Sequence, residues 1–138
     1  MNQSEELARK WLKRAESSLA KAEVGKLNDA IMFEDLCFDA QQSSEKALKS
    51  LFALKNISIP KTHSIGFLIK TLEDNAFIVP NEIKEAVSLT EYAVETRYPG
   101  DYEPIEQYEL DNAIELAKRV LKFVKNQFPS TGIFDDKN

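Results

Sequence analysis

The chain has little of what punctuates a polypeptide: among its 138 residues there are four glycines and five prolines. Turns draw on those two residue types, so their scarcity excludes a fold of many short elements and favours a handful of long ones. There is a single cysteine, Cys37, which excludes an internal disulfide and any multi-cysteine metal centre. The single histidine, His63, has no second ligand at the usual spacing, which excludes an ordinary metal site. A glycine-rich phosphate loop is missing, so a nucleotide site of the P-loop or dinucleotide-fold kind is excluded, and no cofactor is expected. No apolar run approaches the roughly 20 residues needed to cross a bilayer. The first residues, Met1 to Glu6, are polar and acidic, unlike a signal peptide. A cytoplasmic protein without membrane contact is the expectation. Eighteen basic residues against twenty-three acidic ones give a net charge of −5. That balance removes the overall electrostatic footprint of a nucleic-acid binder and leaves room only for a local basic stripe.

What the chain does have is helical periodicity. Hydrophobic residues make up 43% and charged residues 30%, a globular balance. A first helix is expected from Ser4, as N-cap, to Val24, with Leu7, Trp11, Ala15, Leu19 and Ala22 as its apolar stripe. Gly25 offers a stop. A second helix follows from Glu34 to Asn56, its buried face formed by Leu36, Ala40, Ser44, Ala47, Leu48, Leu51 and Leu54. Its middle is rich in small side chains (Ala40, Ser43, Ser44, Ala47), which admit a second helix closely, from the same bundle or from another subunit. Ser64 caps a short third helix carrying Ile65, Leu68, Ile69 and Leu72. A fourth starts near Pro80 and carries Ile83, Ala86, Val87, Thr90, Ala93 and Val94, stopping around Arg97-Tyr98 ahead of Pro99 and Gly100. The last starts near Pro104 or Ile105, with Leu110, Ala113, Ile114, Ala117, Val120, Leu121 and Val124 inward. The fold class is all-α: an up-and-down bundle of four main helices plus one short helix over residues 1–129, then a polar tail over 130–138.

Polar residues gather in three places that a core does not explain. In the second helix Gln41 and Glu45 stand four apart, as do Gln42 and Lys46, so each pair shares a face. Ordinary solvated helix surface is the favoured reading of that stretch. His63, in Pro60-Lys61-Thr62-His63-Ser64, sits on a proline-containing turn ahead of a capped helix, and as a general base it needs a partner from elsewhere in the fold. The richest segment runs from Tyr92 to Pro104 and holds three tyrosines, Arg97, Gly100 and two prolines. Arg97 suits the end of a helix dipole, and an arginine beside stacking aromatics also holds a phosphate and a base together.

Trp11-Leu12-Lys13-Arg14-Ala15, Cys37 to Lys49, Pro60 to His63 and Tyr92 to Tyr102 together resemble the HEPN family, from about Ser4 to Phe128. The strings Ala40-Gln41-Gln42 and Arg97-Tyr98-Pro99-Gly100-Asp101-Tyr102 carry most of the resemblance. It implies a helical bundle that commonly forms a homodimer. Such domains are often encoded beside a minimal nucleotidyltransferase, or fused to one, and the pair can act as toxin and antitoxin. Many members are metal-independent ribonucleases that pair an arginine with a histidine four to six residues later, the two facing each other across the dimer cleft. Some partner enzymes silence the toxin by adding AMP to a tyrosine beside that motif. Here the positions that should offer the histidine hold Tyr102, Glu103 and Pro104. A tyrosine, with an ordinary pKa near 10, is a poor base at neutral pH.

The sequence therefore points first to a non-catalytic homodimeric module that binds a nucleotide or phosphate and docks a minimal nucleotidyltransferase. Arg97, Tyr98, Asp101, Tyr102, Lys46, Gln42, His63 and Lys61 are its candidate contacts. The alternative is a ribonuclease toxin with a rearranged site, Arg97 stabilising the phosphate and His63 acting as base. A third reading is a structural bundle that only associates, through the small-residue face of the second helix.

Overall fold

The computed structural model describes residues 2–94, 100 and 103–129. Every element among them is helical: α1 (Gln3–Val24), α2 (Phe33–Leu54), α3 (Ile65–Asp74), α4 (Asn81–Lys84), a 3-10 stretch (Glu85–Thr90), α5 (Glu91–Val94) and α6 (Gln107–Asn126). The run from α4 through α5 is the fourth main helix, so the all-α bundle of four main helices and one short one stands. The polar tail, 130–138, lies outside the described residues. No helix among the described residues is long and apolar enough to cross a membrane.

Local chemistry sets the ends. The cap of α1 is Asn2, not Ser4: the Asn2 side chain accepts from the Glu5 amide at 2.7 Å. Gly25 closes the helix at φ +74°, in the left-handed region a side chain would strain. Ser64 caps α3 as expected, accepting from the Phe67 amide at 3.1 Å. The last helix begins later than Pro104 or Ile105 suggested, and Ile105 is buried just ahead of it.

Two apolar stripes are corrected by helix geometry. Along α1 the buried residues are Ala8, Leu12, Ala15, Ser18, Leu19 and Ala22, while Leu7 is 46% exposed and Trp11 is half-buried. Steps of four (7, 11, 15, 19) drift around a helix of about 3.6 residues per turn, whereas 8, 12, 15, 19, 22 stay on one side. In the fourth helix Ile83, Ala86 and Leu89 are buried and Tyr92 half-buried, a spacing of three, while Val87 is exposed. That is the period of the 3-10 stretch in its middle. In α6, Leu116 joins the core and Ile114 is only partly buried.

Cross-helix pairs give the directions. Lys21 meets Asp39 and Ser18 meets Lys46, so α1 and α2 run antiparallel. Lys118 meets Glu23 and Lys125 meets Glu16, so α6 runs antiparallel to α1. Arg119 ties α6 to the fourth helix through Glu85 at 3.2 Å. The Tyr92 hydroxyl donates to Glu109, so the start of α6 is tied back to α5.

α2 is the centre. Ala40, Ser43, Ser44 and Ala47 are each 0% exposed within the single chain, so intrachain packing uses the small-residue face. The association surface expected there is therefore not available to a second subunit. The Ser43 and Ser44 hydroxyls find no hydrogen-bond partner among the described residues. The close packing makes a test: Ala47→Leu should destabilise by about 1–3 kcal/mol through overpacking. Ala20→Leu, on the exposed side of α1, should change stability by no more than about 0.5 kcal/mol. Urea unfolding of both variants checks this, and equal midpoints would refute the tight α2 seam.

Candidate functional site

The middle of α2 is not solvated surface. Gln41, Glu45 and Lys49 stand at successive four-residue steps, one above the other along a single side of the helix. All three are buried, as are the neighbouring Ser43, Ser44 and Ser50. A carboxylate removed from water needs its lone pairs satisfied. Glu45 has donors on both oxygens: Oε2 accepts from Lys49 Nζ at 2.8 Å, and Oε1 from His63 Nδ1 at 2.9 Å and Gln41 Nε2 at 3.0 Å. Gln42 Nε2 lies 3.5 Å from the same oxygen and donates to Gln41 Oε1 at 2.8 Å. Gln41 also reaches the His63 carbonyl at 3.4 Å, which fixes the turn before α3 against α2.

The charge state follows. Burial pushes the Glu45 carboxyl upward, and the hydrogen bonds from Lys49, Gln41 and His63, with the charge of Lys49, outweigh it and hold the group below its ordinary value. An ionised carboxylate can only accept, so His63 Nδ1 carries the hydrogen facing Glu45. In the neutral ring the lone pair is then on Nε2. The His63 side chain is 60% exposed and Glu45 only 5%, so a buried anion orients an imidazole whose far nitrogen is at the surface. The partner that His63 needed from elsewhere in the fold is Glu45.

Lys46 lies one turn from Gln42 on the edge of α2 that faces α1. Its Nζ donates to Ser18 Oγ at 3.1 Å. Burial lowers its pKa from the usual lysine value; Lys21 and Arg14 add to the lowering, opposed by Glu45 and Asp39. Beyond Lys49, the Trp11 ring lies 6.0 Å from the Lys49 ammonium.

Gln42, Lys46 and His63 are thus brought to one neighbourhood on α2, and Lys61 is exposed two residues before His63. Arg97, Tyr98, Asp101 and Tyr102 lie outside the described residues. No group of three or more metal-ligating side chains occurs among the described residues. From sequence Glu45 was noted only for sharing a face with Gln41, and neither it nor Lys49 nor Ser18 was among the candidate contacts. The signal for Glu45 and Lys49 was the row of polar side chains four apart on a helix whose other residues are mostly small or apolar. Another cleft, of about 690 Å³, opens between Pro80–Glu85 and the Arg119–Asn126 part of α6. Its Arg119 is already held by Glu85 and Glu115, and none of the candidate residues lines it.

A family model for the HEPN domain matches residues 8–127. The chain belongs to the HEPN family. The crystal structure of TT1696 from Thermus thermophilus is similar to it at 32% identity and a TM-score of 0.75, covering 88% of this chain and 98% of that one. The crystal structure of ST0689, an archaeal HEPN homologue, is similar at 31% identity and a TM-score of 0.68, covering 87% and 96%. No curated protein matches the sequence. The matched HEPN span takes in the whole α2 network, His63 and the Arg97–Tyr102 segment.

Because Glu45 is held below its unfolded value, its contribution to stability is present above that value, 4.5, and fades as pH falls through the folded-state value. Glu45→Gln should therefore flatten the acid limb of the stability curve. Glu45→Ala, which leaves Lys49 buried without its anion, should cost about 3–5 kcal/mol at neutral pH. Urea midpoints between pH 3 and pH 7 read both effects, taking roughly the range over which a paired carboxylate titrates; parallel curves for wild type and Glu45→Gln would exclude the buried charge.

Proposed function

We propose that this HEPN protein is a non-catalytic, homodimeric module that binds a phosphate-bearing ligand, a nucleotide above all. Its partner in this reading is a minimal nucleotidyltransferase, the two forming a toxin–antitoxin-like pair. The observation that carries it is the convergence of Gln42, Lys46 and His63 on one neighbourhood of α2, with Arg14 and Lys21 close enough to act on Lys46. Lys46, Lys49, Arg14 and Lys21 outnumber Glu45 and Asp39 there, an excess of positive charge beside the Gln42 amide and the oriented imidazole on a chain of net charge −5. Lys61 extends that excess on the exposed turn. Arg97, Tyr98, Asp101 and Tyr102 supply the guanidinium and aromatic contacts that the sequence resemblance implies. The absence of a histidine after Arg97, where Tyr102, Glu103 and Pro104 stand, supports binding without cleavage.

One observation favours a second reading, a metal-independent ribonuclease with Arg97 and His63 as its pair. The Glu45–His63 contact at 2.9 Å leaves Nε2 free to accept a proton, the arrangement of a general base oriented by a carboxylate.

Titration of the protein with inorganic phosphate and with a nucleoside monophosphate, followed by NMR, tests the first reading. Saturable shifts at Gln42 and His63 are expected, weakened about tenfold or more in Lys46→Ala, as for the loss of one charged hydrogen bond. Failure to bind either ligand, together with failure to co-purify with a co-expressed minimal nucleotidyltransferase, overturns it. RNA incubation in EDTA separates the two readings. Cleavage lost in both Arg97→Ala and His63→Ala would make the protein an enzyme, and intact RNA leaves the binding module.

A further inference from the structure

Three lysines line the seam between α1 and α2, and only two of them have a carboxylate. Lys21 is paired with Asp39 at 3.2 Å and Lys49 with Glu45 at 2.8 Å. Lys46, between them along the seam, is half-buried, and its Nζ makes its hydrogen bond to the Ser18 hydroxyl, itself 4% exposed. Among the described residues it has no ion pair. Both nearby acids are already engaged, Asp39 by Lys21 and Glu45 by Lys49 and His63.

A lysine in that position is a different reagent from a surface lysine. Removal from water disfavours the ammonium, and a hydroxyl acceptor restores far less than a carboxylate. The charged groups acting on it are Arg14 and Lys21 from α1, which disfavour its proton, and Glu45 and Asp39 from α2, which favour it. The balance leaves more free amine at neutral pH, and the free amine is the nucleophile.

We propose that Lys46 is a covalent modification site that takes an acyl group from a small acyl phosphate. The choice of donor rests on the phosphate-binding reading, because the cations beside Lys46 would hold the phosphoryl end. The lone pair of Nζ attacks the carbonyl carbon and a C–N bond forms. The C–O bond to phosphate breaks, phosphate leaves with that electron pair, and the surplus amine proton passes to water. The product is a neutral amide: it removes one cation from the site, so acylation turns phosphate binding down.

The test is acylation of the full chain with acetyl phosphate and, separately, with the uncharged N-hydroxysuccinimidyl acetate, followed by peptide mass spectrometry. Lys46 is expected to be modified ahead of the exposed Lys13 and Lys61, with a rate that rises at lower pH than theirs. Inorganic phosphate should protect it from acetyl phosphate, and protein acylated at Lys46 should show reduced phosphate binding. Lys46→Arg, which keeps a cation in the seam, should lose that label and leave the others. Acylation of Lys46 no faster than Lys61 with either reagent overturns the inference. Phosphate binding measured by NMR on unmodified protein keeps the two readings apart. Binding without preferential acylation removes this inference alone, and preferential acylation by both reagents without binding of phosphate or nucleoside monophosphate keeps the reactive lysine and removes the acyl-phosphate donor along with the phosphate-binding reading.

Discussion

A carboxylate in the middle of a buried helix is the constraint around which this bundle is arranged. Glu45 is 4% exposed, and an ion so placed is tolerated only if both oxygens are supplied with donors. The donors come from two places: Gln41 and Lys49 from the turns of α2 on either side, and His63 from the chain before α3. The first two are supplied by helix geometry alone. The third has to be brought in by the fold, across 18 residues of sequence. The turn containing Pro60 to Ser64 is thereby docked on α2, and the site's exposed imidazole owes its orientation to an anion that solvent does not reach.

The seam with α1 follows a related logic at its other edge. Ser18, a small residue buried in α1, lets α2 approach and offers an oxygen at the place where Lys46 passes. Charges are distributed unevenly along that seam: Asp39 is taken by Lys21 and Glu45 by Lys49 and His63, and Lys46 finds no acid among the described residues. The remaining cation is left to a hydroxyl. Neither edge of the site would exist if α2 were an ordinary amphipathic helix with a wet face, because the polar groups would then be satisfied by water and fix nothing.

The bundle was legible in the sequence because helix length, capping and stops are local. Ser64 and Gly25 do what their chemistry says, and Leu36, Leu48 and Leu51 of α2 and Ile65, Leu68 and Leu72 of α3 pack inward as their spacing implies. The departures have equally local causes: a four-residue step that drifts around α1, and a three-residue step from Ile83 to Leu89 where the helix winds more tightly. The site was half legible. That Gln41 and Glu45 share a face could be read from their spacing. Whether that face met water depended on how many other helices surround α2, and no single helix contains that information. A row of charged and amide side chains reads as surface until a second, third and fourth element are placed against it.

Trp11 has a further consequence. It is the chain's single tryptophan, half-buried on α1 at the end of the seam, with the Lys49 ammonium 6.0 Å from its ring. Indole emission responds to charge and solvent at this range, so all of the protein's tryptophan fluorescence originates beside the buried ion pair. Any event that loosens Glu45 from Lys49, or shifts α1 against α2, changes the surroundings of that one fluorophore. The protein thus carries an optical reporter for its own candidate site, with no other tryptophan to dilute the signal.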